Sequence, residues 1–323
     1  MSDLFESYSD LADLEAQLGS GDAGERRVAV MELADLGDPA AIPLLARALG
    51  DRDAGVRLQV ARALESYDGP EPAAALAIAL QDADRTVAAA AADSAAELKD
   101  PASADPLLPL VAHKSAFVRM TALRALKELR RKEVLKPALE ALRDSDPGVR
   151  VQAVGAIGFL KLEEAVPALK SATGDPDPMV RRAAIGALTF SHTQTATETI
   201  AKALTDSDWM VREVAAETLG SGHGTGAAPD LLAVLQDPFW QVRLKSIRSL
   251  GKLKHRPAVS AILPALAHAE ANLRKEAAAA LGEIADPSAR QALEAVGDDP
   301  DPDVRKNVRW ALQQIAARAA SSG

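Results

Sequence analysis

The fold is decided by the stretch DSDPGVRVQAVGAIGFLKLEEAVPALKSA at residues 144–172. It holds two runs of apolar residues at helical spacing, separated by a short polar turn, which is typical of two amphipathic helices. The same pattern returns along the chain at every thirty-first position, as from Arg150 to Arg181 and on to Arg212. The sequence therefore predicts a repeat protein built from helix pairs, in which neighbouring units bury a continuous core.

An arginine, usually after valine, marks each unit. Successive marking arginines are separated by one repeat period, except in one place where they are separated by two. The missing member falls at Ala88, so the register continues where the arginine does not. The marking arginines are Arg26, Arg57, Arg119, Arg150, Arg181, Arg212, Arg243, Arg274 and Arg305.

Four rows of residues define the two helices of each unit. A mostly alanine row lies three positions after the arginine and an apolar row lies seven positions after it, which predicts helix A with a face that packs closely. An apolar pair nineteen and twenty-three positions after the arginine, such as Leu45 and Leu49, predicts helix B. Leu14 and Leu18 fit this pair one period earlier, and a lone helix A is expected near 302–319. These ends are predicted to be capping half-repeats.

The domain prediction is an N-terminal tail at 1–9, one solenoid at 10–319 and a C-terminal tail at 320–323. Four positions before most marking arginines stands an acid, followed in several units by proline. An N-cap aspartate accepts a bond from a free backbone amide, and proline at the next position has no amide to satisfy. We therefore expect these acids to cap helix A.

The unit resembles the HEAT repeat in its phycobilisome-lyase-like form. The likeness rests on residues 144–172 and on DPDPDVRKNVRWALQQI at 299–315, and it covers about residues 10–318. It implies an all-α, right-handed α-α superhelix of about ten repeats with half-repeat caps. It also implies a ladder of acids and arginines between adjacent repeats. The residues assigned to that ladder are Asp53 and Arg57, Asp146 and Arg150, Asp177 and Arg181, Asp208 and Arg212, and Asp301 and Arg305.

Composition and charge disfavour some classes of binding partner. The net charge of -9 predicts repulsion of phosphate backbones and anionic membranes, so neither nucleic acid nor a membrane is the expected partner. The absence of cysteine excludes disulfides and a cysteine nucleophile. The acidic N-terminus does not resemble a secretory signal, and no apolar run is long enough to span a bilayer. A soluble cytoplasmic protein is the prediction.

Departures shared by adjacent units indicate candidate surfaces. Trp209 and Trp240 begin successive A helices, and Phe239 replaces the expected cap acid. They form either an exposed apolar edge that anchors a partner or a cover over the loop beneath them. Phe159 and Phe190 lie late in helix A on the face opposite the leucine row, so we expect them to face outward toward a partner protein or a second copy of the chain.

Helix B is expected to line a concave groove. Its predicted lining includes Ile78, Pro109, Ala233 and Pro264, and the charges along it nearly cancel. Such a groove suits an apolar strand, helix or chromophore rather than DNA. Pro109 and Pro264 lie inside helix B, where a proline removes a backbone bond, so kinks are expected there.

No motif indicates catalysis. His192 and His223 lie one repeat period apart in successive turns, but groups on separate repeats reach one zinc ion only if their turns bend together, so no metal or other cofactor is predicted. The leading hypothesis is a non-catalytic scaffold or assembly factor that binds a partner protein through the groove and the aromatic edge. Resemblance supplies the alternative, a bilin lyase subunit or chromophore-binding chaperone, and a homodimer stays open.

Overall fold

All regular structure in the described residues, 11–222 and 225–321, is helical in this computed structural model. The chain divides into two compact units, Met1–Leu160 and Lys161–Gly323. Helices are numbered so that even numbers are A helices and odd numbers are B helices. The predicted N-terminal tail lies outside the described residues.

In the first unit the A helices are α2 (Ala23–Leu36), α4 (Ala54–Ala63), α6 (Arg85–Ala96), α8 (Ala116–Leu129) and α10 (Pro147–Leu160). Its B helices are α1 (11–18), α3 (Ile42–Ala48), α5 (Pro70–Ala79), α7 (Ala104–Leu107) and α9 (Leu135–Ala141). Short 3-10 segments extend them at Pro39–Ala41, Leu64–Ser66, Pro101–Ser103, Leu108–Ala112 and Lys132–Val134.

In the second unit the A helices are α12 (Pro178–Ala187), α14 (Trp209–Leu219), α16 (Trp240–Lys252), α18 (Ala271–Ile284) and α20 (Pro302–Ser321). Its B helices are α11 (Val166–Ala172), α13 (Gln194–Lys202), α15 (Ala228–Ala233), α17 (Val259–Ile262) and α19 (Arg290–Ala295). The 3-10 segments are Glu163–Ala165, Leu188–Phe190, Ala203–Thr205, Thr225–Ala227, Val234–Gln236, Arg256–Ala258, Leu263–Ala267 and Pro287–Ala289. The last helix runs to Ser321, two positions past the predicted end at 319.

The predicted rows form the core of each unit. In both units each A helix packs against the next A helix, and the alanine row has no exposed surface. A small side chain there lets the helix axes approach closely. The leucine row is buried from Leu33 to Leu281, whereas Leu312 in α20 is half-buried, since no described helix follows to cover it. The predicted all-α solenoid of helix pairs is confirmed.

Proline shapes two B helices. The α-helical part of the B segment ends at Leu107, and the chain continues as a 3-10 segment that contains Pro109. The same change occurs after Ile262, around Pro264. Proline has no amide to donate to the carbonyl four positions earlier and disfavours the α conformation of the residue before it. The local break expected at these prolines is therefore a change from α to 3-10 geometry.

A ladder of arginine and aspartate joins successive repeats within each unit. Arg57 is representative: its Nε and Nη2 donate to both carboxylate oxygens of Asp82, at 2.7 and 3.0 Å, and its Nη1 donates to the backbone oxygen of Asp51 at 2.7 Å. The arginine side chain thus connects its own helix to the turn before that helix and to the turn before the next A helix. The pairs of this kind include Arg26–Asp51, Arg57–Asp82, Arg119–Asp144, Arg181–Asp206, Arg212–Asp237 and Arg274–Asp299.

The ladder assignment needs a correction in its acids. The ladder carboxylate belongs to the aspartate six positions before the next marking arginine, not to the one four positions before it. The aspartate four positions before the arginine caps its own helix. Asp53, for example, accepts a hydrogen bond from the amide of Val56 at 3.1 Å. An N-cap side chain lies beside the free amides of the first turn, which places it away from the arginine of the preceding repeat.

The other acids assigned to the ladder are caps in the same way. Their carboxylates accept from the second or third amide after them, and the residues concerned are Asp146, Asp177, Asp208 and Asp301. Arg150 and Arg305 donate from Nη1 to the backbone oxygens of Asp144 and Asp299, at 2.9 and 2.6 Å. Each marking arginine therefore also fixes the turn that precedes its own helix.

Candidate functional site

The aromatic edge, defined as Trp209, Phe239 and Trp240, lies in the second unit. The rings of Trp209 and Phe239 stack with centroids 5.4 Å apart and an angle of 11° between their planes. Phe239 is 41% exposed, whereas the two tryptophans are half-buried. The sequence row pairs the tryptophans, but the stacked pair joins the first tryptophan to the phenylalanine of the next repeat.

Phe239 stands where most repeats place a helix-capping acid, and its side chain makes no capping bond to α16. An aspartate there stabilises a helix by about 1 kcal/mol. The guanidinium of Arg212 lies 5.7 Å from the centre of the Phe239 ring and also binds the carboxylate of Asp237. The exposed ring is therefore held by a tryptophan and by a ladder arginine that is itself fixed.

This arrangement lowers the pKa of the Asp237 carboxylate. Burial raises its pKa, but the hydrogen bonds from Arg212 and from the amide of Phe239 outweigh burial and hold the pKa below the ordinary aspartate value. The ladder anion beneath the aromatic edge is thus charged at neutral pH. It keeps Arg212 in place under the Phe239 ring.

The late aromatic row is less open than predicted. Phe159 in α10 is half-buried, with the ammonium of Lys127 at 5.0 Å and the guanidinium of Arg130 at 5.1 Å from the ring centre. Two cations therefore cover a ring that was expected to be an apolar contact surface. Phe190, in the 3-10 turn that follows α12, is also half-buried.

The predicted groove residues are exposed on the B segments of each unit. In the first unit Ile78 is 60% exposed on α5, and Pro109 is exposed in the 3-10 segment after α7. In the second unit Ala233 and Pro264 are exposed on the B segments of α15 and α17. An isoleucine this open on a helix surface is apolar area available for a partner.

The histidines of the predicted row do not form a described cluster. His192 lies beside the turn at Gly222, and His223 falls outside the described residues. Among the residues that the structure describes, no three His, Cys, Asp or Glu side chains are grouped to hold a metal ion. In the same residues no helix is long and apolar enough to cross a membrane.

Two other histidines lie in the ladder itself. His113 and His268 occupy the position of the ladder aspartate in their repeats, the same distance along the chain from Ala88 and Arg243 as Asp82 is from Arg57. The Nδ1 atoms of both rings accept a backbone amide two positions later, as the aspartate oxygen does elsewhere. The sequence carries a signal for this, because histidine interrupts the aspartate row at these two repeats.

Comparison with known proteins identifies the family of the chain. The HEAT-repeat model matches residues 11–87, 73–146, 135–220 and 228–313, most of the chain, and the chain therefore belongs to the HEAT-repeat family. HEAT repeats are protein-interaction modules whose stacked helices present extended binding surfaces. No curated protein matches the sequence.

Solved structures with TM-scores of 0.50 or above show the same fold at low identity. A structure of Kap95p with RanGDP is 15% identical, with a TM-score of 0.60, over 95% of this chain and 48% of that chain. An engineered protein is 20% identical, with a TM-score of 0.50, over 95% of this chain and 99% of that one. The CpcE–CpcF complex of phycocyanin lyase from Nostoc is 21% identical, with a TM-score of 0.45, over 66% of this chain and 94% of that chain.

Proposed function

We propose that the chain is a non-catalytic scaffold or assembly factor that binds a partner protein through its exposed B-helix surface and the aromatic edge. The observation that carries the proposal is Phe239, an aromatic ring 41% exposed at a capping position and stacked on Trp209. The repeat gives up a helix cap of about 1 kcal/mol at this position. An exposed ring in place of that cap is what a binding anchor requires.

Preorganisation supports the same conclusion. The ring of Phe239 is fixed between Trp209 and the guanidinium of Arg212, so little side-chain freedom is lost when a partner covers it. Aromatic residues in fixed positions contribute much of the binding energy at protein interfaces. The exposed Ile78 on α5 offers a second apolar contact, in the first unit.

The proposal is tested by affinity capture from native lysate, followed by quantitative mass spectrometry. Wild type is compared with the double variant Trp209→Ala/Trp240→Ala and with Phe239→Ala. We expect a specific set of captured proteins to fall at least about tenfold in both variants, because truncating an aromatic anchor costs about 2 kcal/mol or more.

The matched control is Met31→Ala, which removes an apolar side chain that is 49% exposed on α2, in the first unit and outside the aromatic edge. It is expected to leave the captured set unchanged. An identical set in all variants would remove the aromatic edge from the proposal. A shift of tetrapyrrole visible absorbance on mixing would instead favour a chromophore-binding role.

A further inference from the structure

One arginine–aspartate pair of the ladder lacks both of its members. Ala88 replaces the marking arginine, and His113 stands where the aspartate that would meet this arginine belongs. The repeat at Arg243 provides the internal comparison, because it keeps its arginine and also has histidine, His268, at the aspartate position. There the Nη2 of Arg243 lies 2.8 Å from the Nε2 of His268.

A cavity, which we call the ladder gap, lies where the marking arginine is missing. It has a volume of about 530 Å³ and is lined by Leu80, Ala88, His113, Phe117 and Val118, among others. The equivalent space at Arg243 is only about 190 Å³. Leu235, His268 and Leu273 line that space at positions equivalent to Leu80, His113 and Val118. The remaining walls differ, since Arg85, Lys114 and Phe117 line the ladder gap, whereas Ile247, Ala261 and Pro264 line the space at Arg243.

The rim of the ladder gap is cationic. Arg85 is the single arginine in a row that otherwise contains alanine, proline and tryptophan, and Lys114 precedes the N-terminus of α8. Both side chains are exposed and line the cavity, and neither has an ion-pair partner within the described residues. Asp82 also lines the cavity, but both of its carboxylate oxygens are bound by Arg57. Free positive charge therefore prevails at this opening of an acidic molecule.

The same repeat lacks its capping acid. Ser115 stands at the N-cap of α8 and makes no side-chain capping bond, whereas Asp84 and Asp146 cap the neighbouring A helices. Two carboxylates that most repeats supply, at the ladder position and at the cap position, are thus absent from the wall of this cavity. The fold brings carboxylates to both places in most other repeats.

His113 offers a hydrogen-bond donor to the gap. The Nδ1 of His113 accepts the amide of Ser115 at 3.2 Å, so a neutral ring carries its hydrogen on Nε2. By correspondence with His268, that nitrogen faces the space of the missing guanidinium. In that form the Nε2 of His113 can donate a hydrogen bond to a carboxylate.

We propose that the ladder gap binds a carboxylate side chain from an acidic segment of the partner protein, with an adjacent apolar side chain against Phe117. The ligand supplies from outside the carboxylate that the chain supplies itself in other repeats. Arg85 and Lys114 provide charge at the rim, His113 provides a directed donor, and Phe117, 39% exposed, provides apolar surface. The identity of the ligand as a segment of a partner rests on the proposed scaffold function.

The test is fluorescence anisotropy with purified full-length chain and a labelled peptide of alternating glutamate and leucine. A peptide of alternating lysine and leucine is the charge-reversed control. We expect binding of the acidic peptide alone, weakening with salt. Ala88→Arg, which refills the gap, and Arg85→Ala/Lys114→Ala, which neutralises the rim, should each reduce affinity about tenfold. Lys99→Ala, an exposed cation elsewhere in the first unit, should leave affinity within about twofold.

Several outcomes would overturn the proposal. They are equal or stronger binding of the lysine peptide, full binding by both gap variants, and displacement of the acidic peptide by inorganic phosphate but not by acetate at equal concentration. Melting temperatures of the variants show whether each still folds, and the exposed pair Arg85→Ala/Lys114→Ala gives an answer even if Ala88→Arg does not fold. Failure here with partner capture still dependent on Phe239 would reject the ladder gap alone.

Discussion

At the scale of single residues, the molecule separates two carboxylate roles that the sequence places two positions apart. Asp82 binds the arginine of the preceding repeat, while Asp84 caps its own helix. Both aspartates recur with the repeat, so periodicity alone does not say which of them meets the arginine. The difference arises from backbone direction, because an N-cap side chain turns over its own first turn. The amino-acid sequence alone does not show which way such a side chain points.

The ladder should make stability depend on pH. The hydrogen bonds from Arg57 hold the pKa of Asp82 below its ordinary value of 3.8, with burial acting in the opposite direction. A carboxylate with a lowered folded-state pKa stabilises the fold above its unfolded-state pKa, and this contribution is lost as the pH falls through the folded-state pKa. We expect Asp82→Asn to be less stable than wild type at pH 7 by about 1 to 2 kcal/mol.

Urea unfolding followed by circular dichroism at pH 7, 5, 4 and 2.5 measures this. The gap between wild type and Asp82→Asn should narrow below about pH 4, since protonation removes the charge that the substitution removes. Asp35→Asn, an exposed acid on α2 outside the ladder, is the matched control and should show no gap. A gap of the same size at pH 2.5 would contradict the ionic origin of the ladder's contribution.

At the scale of helices, close approach of the A helices is set by residues the periodic rows only partly reveal. The alanine row was predictable, because it recurs in register. Gly251 also recurs in register, with Gly220 and Gly282, but its role required the structure: a Cβ built there lies 2.8 Å from the Cα of Ala280 in α18. The position of Pro109 inside helix B was also evident, and proline chemistry accounts for a break there, but the 3-10 geometry of Leu108–Ala112 was seen only in the structure.

Two glycine substitutions should therefore differ in sign. Gly251→Ala inserts a methyl group against the backbone of α18 and is expected to destabilise the chain by about 1 to 3 kcal/mol. Gly186→Ala, in α12, meets only the Cγ2 of Val214 at 3.9 Å and should stabilise by up to about 1 kcal/mol through helix propensity. Thermal melting of the two variants checks both. Equal effects would show that backbone contact at Gly251 is not the determining factor.

At the scale of the whole molecule, the repeat period was enough to predict the class of fold, because each helix pair buries its apolar rows only against its neighbours. The surfaces were harder to predict. The row of Trp209 and Trp240 indicated an edge, but the ring that is exposed is Phe239. Phe159 was expected to be an open apolar surface and instead lies under Lys127 and Arg130. Whether such a ring is exposed depends on long side chains from neighbouring helices.

The central claim is that a partner protein covers the aromatic edge and the exposed B-helix surface. Site-specific photo-crosslinking tests it directly, with benzoylphenylalanine placed at position 239, at position 78 and, as control, at position 31, each in native lysate. The claim predicts adducts to the same protein from positions 239 and 78, and none to it from position 31. Adducts from position 31 alone, or adducts from position 239 only to a second copy of this chain, would contradict it.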